Sequence, residues 1–190
     1  MNTLCIPVRQ PYRVTSDARQ HITGDGRGAA SSLCGIDFID RIGKPDLLSV
    51  TDGEVVYVHA YNPKYKWGGD PGAWNTLGLF VVIKSIIEGI TVWLRYCHLE
   101  RADVKTGDIV TAGQSIGIYG DTGASHGAHV HMDAWVAWGD KDKAAGLGLV
   151  AESGLRVVPP YPGIPISLHN VNPTKFFSAQ KLDVINTGGK

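Results

Sequence analysis

Gly127-Ala128-His129-Val130-His131-Met132-Asp133-Ala134-Trp135-Val136, residues 127–136, decides how this chain folds and where its chemistry lies. In a β-strand, residues i and i+2 share a face about 6.5–7 Å apart, whereas a helix turns them some 200° apart. His129 and His131 therefore work together only on a strand. Read so, His129, His131, Asp133 and Trp135 line one face, and Val130, Met132, Ala134 and Val136 the other. One face is apolar and the other chemical. Two neutral imidazoles side by side suit a metal ion or a proton-transfer pair, and Asp133 is spaced to orient one of them. Two histidines on a solvated strand have the same spacing, so the rest of the chain must decide.

The 190 residues are enough for one domain with its own core and no covalent staples. Three cysteines, Cys5, Cys34 and Cys97, are too few and too scattered for a disulfide framework. Lys plus Arg equals Asp plus Glu at 18 each, so no global field draws nucleic acid or anionic lipid. No stretch approaches the ~20 apolar residues of a membrane span, and the first twenty residues lack a signal-peptide pattern. Twenty-four glycines and ten prolines without a period predict tight turns between short strands.

The expected strands are Tyr12–Thr15, Leu33–Ile39, Gly53–His59, Leu77–Ser85, Ile90–Tyr96, Asp108–Val110, Gln114–Tyr119 and Ala128–Ala137. They predict a mostly β, antiparallel sandwich or barrel. A single domain over 1–190 is expected, with a loop-rich segment 1–32, a core 33–137 and an irregular C-terminal arm 138–190, ending in a short helical turn near Val171–Phe177. Residues 61–75 form a long loop whose Trp67 and Trp74 are candidates to bind substrate or to pack onto the sheet. The Gly-rich turn 120–127 precedes a strand rather than a helix, which argues against a phosphate cradle and for a hairpin. His21, His59 and His169 have no neighbours that single them out.

Two further residues join the histidine pair. Asp37 interrupts the apolar run Leu33-Cys34-Gly35-Ile36-Asp37-Phe38-Ile39, where a carboxylate needs a partner. His98 closes an apolar strand just before the polar turn Glu100-Arg101-Ala102-Asp103. Five blocks in order, Gly35-Ile36-Asp37-Phe38, Tyr96-Cys97-His98-Leu99, Val104–Gln114, Gly120-Asp121-Thr122-Gly123 and His129-Val130-His131, together with Asp52–Val56, resemble the lysostaphin-like M23 zinc endopeptidases of peptidoglycan cross-bridges. The resemblance runs from about Gly35 to Trp135, and the Asn172-Pro173 tail is also similar. It implies that family's barrel-sandwich, a duplicated hybrid motif. It also implies zinc held by Asp37 and His131, with His98 and His129 as the catalytic groups handling water and oxyanion. Lipoyl-type carrier domains share the pattern over Lys105–Gly117, but the modifiable hairpin lysine is lacking.

One position departs from that family. Leu33 stands four residues before Asp37, where the resemblance calls for the first zinc-binding histidine, and leucine has no donor atom. Cys34 is the neighbouring possible third ligand; His21, Asp25, His98 and His129 are alternatives. The resemblance thus implies either a peptidase with a completed zinc site or an inactive module of the same fold that binds cell wall. With no signal peptide recognised, the expected setting is a phage lytic or tail protein, or a protein carried to the envelope by another machine after synthesis in the cytoplasm.

Overall fold

The computed structural model describes residues 4–16, 35–67, 74–150, 160–164 and 168–179. Leu33, Cys34, His21 and Asp25 lie outside the described residues. The strands are β1 (Tyr12–Ser16), β2 (Gly35–Asp40), β3 (Asp46–Leu48), β4 (Gly53–His59), β5 (Leu79–Ile87), β6 (Ile90–Ala102), β7 (Ile109–Val110), β8 (Ser115–Tyr119), β9 (Val130–Ala137) and β10 (Leu168–Val171). Two short helices follow β9 and β10, α1 (Lys141–Gly146) and α2 (Pro173–Ala179).

The expected mostly β, antiparallel architecture is what forms. The strands make one open sheet in the order β1-β2-β9-β6-β5-β4-β7; β10 is added along β9, and β8 pairs with both β3 and β6. Every strand pairing among the described residues is antiparallel. Glu88 and Gly89 join β5 to β6 with φ of 48° and 78°, the two positive values that a tight hairpin turn demands.

The histidine strand β9 lies at the centre. Along one edge it pairs with β6, from Val92↔Val136 to Cys97↔His131. The other edge is shared: β2 takes the first half, with Asp37 opposite His131, and β10 takes the second. Alternation works as the sequence implied. Val130, Met132, Ala134 and Val136 enter the main core with Ile36, Phe38, Ile83, Leu94 and Tyr96. Trp135 enters a second cluster on the opposite face with Phe80, Val82, Trp93, Cys97 and Leu168. Each large apolar side chain so buried contributes roughly 1.5–3 kcal/mol against exposure.

Three expectations need correction. The arm 138–190 is not irregular ahead of its expected terminal helical turn, which is α2: α1 and β10 lie in it, and β10 extends the central sheet. α1 is six residues and β10 four, too short for periodicity to show. β3, a three-residue strand, is missed for the same reason. β6 does not end at Tyr96 but continues to Ala102, pairing with β9 through Cys97 and then with β8 from Leu99.

Candidate functional site

The change of partner along β6 falls on His98, whose φ of 65° is rare for a non-glycine residue. His98 is thus not a strand end but a kink between two pairings. Strain of this kind persists only where the surroundings hold it. Here the support is Thr122: its hydroxyl donates to the Leu99 carbonyl at 2.7 Å and accepts from the Leu79 amide at 3.0 Å. The Thr122 carbonyl lies 2.8 Å from His98 Nδ1. Gly78 and Gly123, at φ 71° and 73°, let these backbones touch, and a Cβ on either would overlap the other segment. Sequence reading missed Thr122; its only signal was the Gly-Asp-Thr-Gly block.

Residues 120–129 do not form the expected hairpin. β8 and β9 meet in a single bridge, Gly120↔His129, and otherwise lie along successive stretches of β6 rather than along each other. The segment instead wraps the site. Buried Ser125 donates to the Gly127 carbonyl at 2.9 Å, the Gly127 amide donates to Asp121 at 3.1 Å, and His129 Nδ1 lies 2.8 Å from the Gly127 carbonyl.

Asp37, His98, His129 and His131 converge. Asp37 Oδ1 is 2.8 Å from His131 Nδ1 and 3.8 Å from His129 Nε2. The His98 ring lies 4.8 Å from the His129 ring and 6.1 Å from that of His131. The His131 ring also covers Gly35, where a Cβ would collide with it. Backbone carbonyls only accept, so His98 and His129 each donate from Nδ1.

Electrostatics separates the buried pair. Burial, and then the neighbouring His129 and His131, push His98 down to about 3, so it is neutral at ordinary pH. Burial opposes charge on His131 as well, but hydrogen bonds and charges from Asp133 and Asp37 prevail and raise it to about 9. His131 Nε2 lies 3.3 Å from Asp133 Oδ2, and its Nδ1 faces Asp37. An imidazole edge between two carboxylates calls for a cation on the Asp37 side, a proton or a metal.

That donor chemistry fits zinc at two positions, Asp37 and His131. Among the described residues no three His, Cys, Asp or Glu side chains stand in a metal-holding group. Among the described residues His129 Nε2, 3.8 Å from Asp37 Oδ1, is a further nitrogen donor beside the pair.

The aromatic loop divides. Trp67 is 63% exposed and lies against His126 at 5.1 Å, on the same segment that supports His129. Lys66 reaches Asp121 at 3.4 Å and ties the two loops together. Trp74 instead is half-buried and packs on Phe80 in the second cluster.

The profile of peptidase family M23 matches residues 31–145, more than half of the chain. The chain belongs to that family. It is 36% identical over 129 residues to the peptidoglycan DD-endopeptidase ShyA of Vibrio cholerae, covering 67% of this chain and 26% of that protein. Lysostaphin of Staphylococcus simulans is 36% identical over 103 residues, 54% of this chain and 18% of its own. Among solved structures, a zinc-containing peptidase from Vibrio cholerae superposes with a TM-score of 0.51 at 26% identity, covering 72% of this chain and 37% of that one. The chain spans between 26% and 31% of the length of the first three curated relatives.

Proposed function

We propose that this domain is a zinc-dependent endopeptidase acting on the peptide cross-bridges of bacterial peptidoglycan. The observation that carries the reading is the convergence of Asp37, His98, His129 and His131, with Nδ1 of both catalytic imidazoles held by backbone carbonyls. The peptidoglycan-cleaving relatives point to the same substrate.

Asp37 and His131 would hold the metal, and His129 Nε2 is the available third donor where Leu33 offers none. When bound, zinc supplies Lewis acidity toward the scissile carbonyl and the attacking water. The chain's own groups handle the protons. His98, neutral and fixed by Thr122, takes the proton of the attacking water at Nε2. His129 Nε2 cannot hold zinc and a proton at once: as the third donor it serves the metal, and His98, having taken the proton of the water, passes it to the leaving amine. Trp67, exposed at the rim, provides a flat surface against which an extended peptide can lie. Trp74, packed inward, is not part of that surface.

Turbidity of purified cell walls tests the reading. Lysis that stops with a chelator and with His129→Ala supports the enzyme. Wall capture without lysis supports the alternative of a binding module. Zinc below about 0.2 per chain under replete conditions, against the three protein ligands usual at a catalytic site, sinks the metallopeptidase reading.

A further inference from the structure

Beneath β9, on the face away from the main core, lies an ion pair closed off from water. Arg95 is 1% exposed and Asp133 0%, and they are direct cross-strand partners. Nε and Nη2 of Arg95 donate to Oδ1 and Oδ2 of Asp133 at 3.1 and 2.6 Å. Nη1 donates to the Pro160 carbonyl at 3.0 Å. The guanidinium lies 4.5 Å from the Trp135 ring and 5.6 Å from that of Phe80. Desolvating two charges cancels much of what their attraction returns, and apolar residues of similar size often serve stability as well. What the pair uniquely offers is an anchored carboxylate, and Asp133 Oδ2 lies 3.3 Å from His131 Nε2.

We propose that Arg95 and Asp133 are positioning residues for His131, and that the Pro160 carbonyl couples residues 160–164 to the same brace. Asp133 accepts from Nε2–H, which leaves Nδ1 as the only nitrogen turned toward Asp37. Arg95 holds both oxygens of Asp133, so the carboxylate has no rotational freedom to release the ring. Pro160 lies beyond the residues matched by the family profile, 31–145. Tyr161 pins it in place by stacking on Tyr57 at 5.2 Å and 15°.

The inference rests on Asp37 and His131 being the metal-holding pair, and two measurements on the whole chain separate its failure from that of the reading beneath it. The first is zinc affinity by competition with a chromophoric chelator. The second is the exchange rate of the His131 Nε2 proton in the metal-free protein, read by imidazole 1H–15N NMR. The double variant Arg95→Met/Asp133→Leu removes the brace without leaving a lone buried charge. It should melt near the wild-type temperature, bind zinc roughly 10–100-fold more weakly and lose the slowly exchanging proton. Wild-type affinity with an unchanged proton signal in the folded double variant overturns the proposal. Should that variant not fold, Tyr161→Ala carries the test: faster exchange of the same proton supports the coupling, and an unchanged rate refutes it. A wild-type chain that takes up no zinc defeats the metallopeptidase reading, while the proton exchange still decides the brace.

Discussion

Histidines occupy two regions of this molecule and are used in opposite ways. In the groove they are held by their edges: Nδ1 of His98 and of His129 on backbone carbonyls, and both nitrogens of His131 on carboxylates. Elsewhere in the molecule they are held by their faces. His59 stacks on Phe80 at 4.7 Å and 15°, and His169 on Trp138 at 4.0 Å and 29°. An imidazole fixed by one edge presents the other nitrogen in a defined direction, which is what proton transfer or metal binding requires. One fixed by its face acts as a flat, mildly polar aromatic. Residue type therefore does not mark the chemistry here; the direction of restraint does.

The largest effects should come from cutting an edge restraint. His98→Ala and His129→Ala each remove an imidazole from the groove, and each should lower kcat for wall lysis about 10²–10⁴-fold while leaving KM nearly unchanged. Equal losses in KM would place these rings in substrate binding instead. The next effect is a gain. Leu33→His restores a donor four residues before Asp37 and should tighten zinc about 10²–10³-fold, since four ligands share roughly 10–16 kcal/mol in structural sites. In that background His129→Ala should no longer weaken zinc; if it still does, His129 is not the substitute donor.

The sequence carried the edge-held region better than the face-held one, for a physical reason. Strand alternation places His129, His131 and Asp133 on one face whatever the surrounding fold, and Asp37 announces itself as a carboxylate among apolar residues. The kink at His98 could not be read, because a positive φ at a non-glycine residue is imposed by Thr122 and two distant glycines. Arg95 in an apolar strand was equally silent, since its partner is known only once β6 and β9 are in register. Trp67 and Trp74 looked alike in one loop, yet the first is exposed at the rim and the second packs on Phe80.

A smaller effect tests the buried edge of His98 through pH. Its folded value, about 3, lies below the ordinary 6.5, so the unfolded chain binds the extra proton first as pH falls. Stability is then intact above pH 6.5 and declines as pH drops toward 3, by about 2 kcal/mol at pH 5 from this group alone. Metal-free wild type should lose more melting temperature between pH 7 and pH 5 than His98→Gln does. Parallel losses would mean that His98 is not buried in its neutral form.

The smallest effect belongs to the face-held region and has the opposite sign. His169 is 8% exposed, and among the described residues neither ring nitrogen has a hydrogen-bond partner. A buried polar atom without a partner costs about 1–3 kcal/mol, whereas the stack on Trp138 needs only a flat ring. His169→Phe keeps the ring and removes the unsatisfied nitrogens, so it should leave lysis unchanged and raise stability by about 1 kcal/mol, or roughly 2–4 °C in a chain of this size. Loss of lysis on that substitution would erase the distinction between the two regions, because a ring held only by its face would then be contributing an edge.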